Sequence, residues 1–72
     1  MERQERALRS YAAYEAKRNA LGLKNAQVAR AAGVPASCIY DWKHGSYTPK
    51  FENMQKIADA VEMTVAEIME GR

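Results

Sequence analysis

The sequence predicts an all-α fold, a compact arrangement of five short helices. Three observations carry that prediction. Apolar residues recur at the three-and-four spacing of a helix in every segment. β-branched residues are scarce and never alternate, so no strand is expected. Turn-forming residues divide the chain at Gly22, at Gly33-Val34-Pro35, across residues 45–49 and at Met63-Thr64.

The first helix is expected over about residues 3–21, with Ala7, Tyr11, Tyr14 and Leu21 as its apolar row. Glu2/Arg6 and Glu5/Arg9 are acid-first i,i+4 pairs, each worth about 0.3 kcal/mol. Gly22 stands where a glycine follows a helix end. A second helix, about 25–32, carries Val28, Ala29 and Ala32 on one side. Pro35 lacks an N–H and suits a helix start, so a third helix is set at about 36–43, with Ile39 and Trp42 inward and Cys38 beside them. A fourth, about 51–61, repeats Phe51, Met54, Ile57, Ala58 and Val61. The fifth is short: Thr64 and Glu67 make a capping box ahead of Val65, Ile68 and Met69.

Seventy-two residues make one small domain, which must be held by packing. One Cys and one His supply neither a disulfide nor a metal site, and no cofactor or small-molecule ligand is implied. Eleven basic against nine acidic residues give +2 overall. The distribution is more telling: residues 1–50 hold nine basic and four acidic side chains, +5, and residues 51–72 hold two and five, −3. A basic front points to a bound polyanion. No apolar run approaches the roughly 18 residues that span a bilayer, and the amino terminus lacks the apolar stretch of a signal peptide, so a cytoplasmic location is expected. His44 sits in a polar loop with no signal for a nucleophile beside it, which argues against an enzyme.

Residues 25–42 decide the functional reading. Ala29, Gly33 four residues on and Ile39 six further describe two short helices joined by a tight turn. Ala29 has no bulk beyond Cβ and lets the helices cross closely. Gly33 suits a sharp helix exit, and Val28, Val34 and Ile39 would lock the pair to the core. This is the physical content of a helix-turn-helix, whose second helix enters a DNA major groove.

Residues 14–69, about three-quarters of the chain, resemble the Cro/lambda-repressor-like helix-turn-helix domain, and most of all its phage-repressor branch. The resemblance rests on Gly22-Leu23, Val28-Ala29, Gly33-Val34-Pro35, Ile39-Tyr40-Asp41-Trp42-Lys43, Gly45, Pro49-Lys50 and Ile57-Ala58-Asp59, in that order. It implies a five-helix sequence-specific DNA-binding domain at 14–70 that usually acts as a dimer, preceded by an N-terminal helical extension at 1–13. Three positions depart from the pattern. Lys24 replaces the usual Ser or Thr cap of helix 2, which weakens that start by about 1 kcal/mol. Glu62 replaces the usual glycine after helix 4, and Lys17 replaces a core leucine of helix 1 whose packing Leu21 is expected to assume.

Transferred residue by residue, the resemblance sets Asn25, at the start of helix 2, against a phosphate. Ala36, Ser37, Tyr40 and Asp41 become the groove-facing, base-reading positions of helix 3. Lys43, His44, Ser46, Tyr47 and Lys50 line the loop that the family turns to the DNA backbone. Ala36 suits a thymine methyl, Ser37 several bases, and Asp41 a cytosine amine or a neighbouring cation.

Plainer readings stand beside these. Trp42, three residues after Ile39, suits the core better than a base stack. Tyr40 and Tyr47 are balanced between phosphate contact and packing, while position favours phosphate over bare solvent for Lys43 and Lys50. Cys38 reads as a half-buried packing residue rather than a redox thiolate. Arg3, Arg6 and Arg9 form a solvated face or an arm along DNA, and Met54, Met63 and Met69 belong to the core or a dimer face.

The expected function is therefore a phage- or mobile-element-type transcriptional repressor. It would bind double-stranded operator DNA through helix 3 as a homodimer, formed in solution or only on DNA. Val65, Ile68 and Met69 are expected to pack partly on helix 1 and partly across the two-fold. The alternative is an antitoxin or other protein-interaction module on the same domain. No sensing domain is expected after helix 5, and the chain reads as a Cro-sized regulator or as a fragment of a longer repressor.

Overall fold

In the computed structural model, residues 2–71 form five helices and, among these described residues, no strand: α1 Glu2–Ala20, α2 Asn25–Ala32, α3 Ala36–Lys43, α4 Phe51–Ala60 and α5 Val65–Glu70. Helix α1 begins with Glu2 and Glu5 and ends with Lys17 and Arg18, charges that complement the helix dipole at both ends. It runs unbroken through residues 13 and 14. Ala7, Ser10, Tyr11 and Tyr14 form its buried stripe, so the expected extension contributes directly to the core.

That core surrounds Trp42, which is fully buried. Tyr11 and Tyr14 close around it, with ring centroids 5.3 and 4.9 Å from the indole and 5.4 Å from each other. Val28 and Ala29 of α2, Ile39 of α3, Met54, Ile57 and Ala58 of α4 and Ile68 of α5 complete it. α1 packs chiefly against α5 and α2 against α4, leaving α3 with one side inward and the other in solvent. Val65 and Met69 are half-buried against this same core.

Each junction follows local chemistry. Lys24 offers α2 no accepting side chain, but its own N–H donates to Gln27 Oε1 at 2.8 Å, half of a capping box. Gly33 takes φ 72°, and its N–H and that of Val34 both reach Ala29 O, at 2.9 and 3.1 Å. Thr64 and Glu67 cap α5 reciprocally. The departure at Glu62 has a visible consequence. It adopts φ 58°, the left-handed conformation that the usual glycine supplies without strain.

Phe51 departs from the expected core row of α4. It is 71% exposed, and the inward row begins at Met54. Phe51 is the first residue of α4, and Met54, Ile57, Ala58 and Val61 already fill the space beneath the helix. Cys38, expected half-buried, is buried.

Candidate nucleic-acid interface

The outer side of α3 is set by what its inner side buries. Cys38, Ile39 and Trp42 point into the core, which leaves Ala36, Ser37, Tyr40, Asp41 and Lys43 exposed, with His44 just past the helix end. At 3.6 residues per turn, Tyr40 and His44 fall near the middle of that surface and Asp41 at its margin, beside Cys38. His44 is fixed twice: its ring stacks on Tyr40 with centroids 4.3 Å apart, and Nδ1 lies 3.0 Å from Tyr40 O.

A notch opens between the first turn of α2 and this face of α3. Asn25, Ala26, Ala36, Ser37, Tyr40 and Lys43 line it. The fold thus gathers Asn25 and Lys43 with Ala36, Ser37 and Tyr40 at one place. Asp41 is not among the lining residues, and neither are Ser46, Tyr47 and Lys50. Ser46 and Lys50 are exposed on the loop after α3, where the Ser46 N–H donates to Asp41 O at 2.9 Å and Lys50 precedes α4.

Besides His44, two expected phosphate ligands have their side chains engaged within the protein. Asn25 Oδ1 accepts from Tyr14 Oη at 2.7 Å and from Arg18 Nη1 at 2.6 Å, and Asn25 Nδ2 donates to Tyr11 Oη at 2.9 Å. What Asn25 offers an anion is its backbone N–H, in the uncapped first turn of α2. Burial pushes the Tyr14 phenol up to about 12, against the pull of the Arg18 guanidinium. Tyr47 is half-buried with Oη 2.9 Å from Cys38 Sγ; burial and then that hydrogen bond raise its phenol to about 12. It braces the loop against α3.

Gly45 explains how the loop leaves α3. It is buried at φ 76°, and a Cβ there would stand 3.0 Å from Gln4 Cγ and 3.2 Å from Leu8 Cγ. Glycine takes that φ without strain, and a Cβ there would make the Gln4 and Leu8 side chains of α1 shift. Sequence reasoning missed Ala26, Ser10 and Arg18. Ala26 carries no signal of its own, and Ser10 and Arg18 look like ordinary surface positions of a charged helix.

The family model for a helix-turn-helix of the Cro/C1 type matches residues 15–68. The chain belongs to this helix-turn-helix family. No curated protein and no solved structure matches it. The family is non-catalytic and binds DNA, so this helix-turn-helix protein is a DNA-binding regulator in general terms. The match begins within α1, and the helix-turn-helix of α2 and α3 lies wholly inside it. Among the described residues no helix is long and apolar enough to cross a membrane.

Proposed function

We propose that this chain is a sequence-specific transcriptional repressor of the phage or mobile-element kind, working in the cytoplasm on double-stranded operator DNA. Helix α3 enters the major groove, with Ala36, Ser37 and Tyr40 toward base edges and Asp41 at the border of that surface. The uncapped start of α2 at Asn25, together with Lys43, His44, Ser46 and Lys50, holds phosphates on either side. Tyr47 contributes by setting the loop. A homodimer places two α3 helices about 34 Å apart, one turn of DNA, and repression follows from occupying a promoter.

One observation supports this reading above the others: the notch joins the exposed face of α3 to the start of α2, with a lysine and no carboxylate in its lining. Selection from random duplexes tests it. A palindromic site is expected. Failure to enrich any sequence would overturn the reading, and enrichment of a single unrepeated half-site would overturn the two-fold arrangement.

A further inference from the structure

We infer that His44 meets its phosphate as the imidazolium, so that DNA binding takes up a proton at this residue and weakens as pH rises through the imidazole range. The inference rests on the DNA-binding reading above and adds the protonation state, and hence a pH control, of one of its contacts.

The tautomer of His44 is fixed by the fold. Nδ1 lies 3.0 Å from Tyr40 O, and a carbonyl oxygen only accepts, so Nδ1 holds a proton and donates it there. In the neutral ring Nε2 is then a bare lone pair, which repels a phosphate oxygen. Only the imidazolium has a second N–H to offer. The two nitrogens cannot change places without losing both the contact to Tyr40 O and the stack on the Tyr40 ring, 4.3 Å away between centroids. The residue is exposed, so Nε2 is open to a ligand.

The end of α3 gives a second reason. His44 follows Lys43, the last residue of the helix, where the backbone carbonyls form its negative pole. A phosphate approaches that pole only across cations, and Lys43 and a charged His44 are the ones the chain sets there. The other groups at this corner do not take up the proton. Asp41, exposed on the same last turn of α3, makes no ion pair with His44 among the described residues. In the loop, Tyr47 is engaged with Cys38 and Lys50 is already cationic; α1 reaches the corner with Gln4 and Leu8, which are uncharged. His44 is also the single histidine of the chain, and histidine is the side chain whose charge ordinarily changes between about pH 5 and 8.

The test uses the full chain and an operator duplex obtained by selection. Between pH 5.5 and 7.5 at fixed salt, about one unit either side of the ordinary imidazole value, affinity should fall about tenfold for each bound protomer. The slope of log K against log salt should be steeper at the acid end by about 1 per protomer, since one more phosphate is then neutralised. His44→Gln carries an amide N–H at every pH, so its affinity and its salt slope should not change over that range. A flat profile in the unsubstituted protein overturns the inference, with no variant needed. So does a pH dependence that persists in His44→Gln, or one that leaves the salt slope unchanged, which would put the imidazolium on a base. Failure to select any duplex overturns the DNA-binding reading itself, and the inference with it.

Discussion

The indole N–H of Trp42 donates to Ser10 Oγ across 2.9 Å in the centre of the protein. Ser10 is fully buried, and its hydroxyl lies 2.9 Å from Arg6 O and 3.0 Å from Ala7 O, so it can donate backward along α1 while accepting from α3. The helix proposed to read DNA is thus anchored to a part of α1 that precedes the family match. Ser10→Ala leaves a buried N–H unpaired and should cost about 1–3 kcal/mol. Denaturant unfolding followed by the fluorescence of Trp42, the single tryptophan, measures it. An unchanged midpoint would show that the bond contributes nothing.

The Asn25 amide is a second, half-buried anchor. Truncating it in Asn25→Ala strands the hydroxyl of Tyr14, leaves that of Tyr11 with only Arg18 Nη1 at 3.2 Å, and removes the shortest contact of Arg18, whose Nε already lacks a partner. The expected loss is again about 1–3 kcal/mol. Affinity should fall by a similar factor for every duplex, because the start of α2 loses its fixed position. A variant that changed base preference instead would place Asn25 among the base readers.

Much of this architecture was legible from residue spacing. The three-and-four rows and the Gly33 and Pro35 punctuation located every helix to within a residue or two, because both signals are local. Trp42 and Ile39 pointed inward, which settled the outward face of α3. The polar anchors were not legible: Ser10 meets Trp42 across 32 positions and Tyr14 meets Asn25 across 11, and no local pattern announces such pairs. The contact of Tyr47 with Cys38 was not legible for the same reason, since Cys38 lies on another element. Phe51 fits the periodicity of α4, but a first-turn position can overhang the core it appears to join.

Glu62 offers a direct test of backbone strain. Its left-handed φ of 58° costs an L-residue about 1–2 kcal/mol, against roughly 0.5–1 kcal/mol for the extra chain entropy that glycine loses on folding. Glu62→Gly should therefore raise stability by up to about 1.5 kcal/mol, read as an increase of several degrees in Tm. A lower Tm would mean that the Glu62 side chain makes a contact worth more than the strain.

Stability should fall at both ends of the pH range, for different reasons. Glu67 accepts the Thr64 N–H at 2.8 Å, and that hydrogen bond holds its carboxyl below the ordinary value of 4.5. The contribution is present above that value and is lost as pH falls through the lowered one. Glu67→Gln keeps an acceptor and should flatten the acid limb of a Tm-against-pH curve. Tyr14 and Tyr47, both raised to about 12, keep their protons in the folded protein after unfolded chains ionise near 10. Their contribution is complete below pH 10 and disappears as pH rises towards 12. A flat alkaline limb would contradict the burial of both phenols.

The roles proposed for α3 and its loop separate when salt and sequence are varied together. Ser37 and Lys43 both line the notch, Lys43 from the last turn of α3, and Lys50 precedes α4. Replacing Ser37 by Ala should cost about 1–3 kcal/mol on the preferred operator and change which base is tolerated at one position per half-site. Lys43→Ala and Lys50→Ala should weaken all duplexes about equally and make the slope of log K against log salt shallower by about 1 per charge removed at each bound site. Asp41 is the discriminating case, because it lies at the margin of the exposed face and outside the notch. If Asp41→Asn tightens every duplex alike, its carboxylate only opposes nearby phosphates. If the variant alters one base position, the reading surface extends past the notch to the edge of α3. Binding of each variant to single-base operator variants at two salt concentrations decides all of these roles. Lysine variants that relaxed base preference, with a Ser37 variant that merely lowered affinity, would invert the proposed interface.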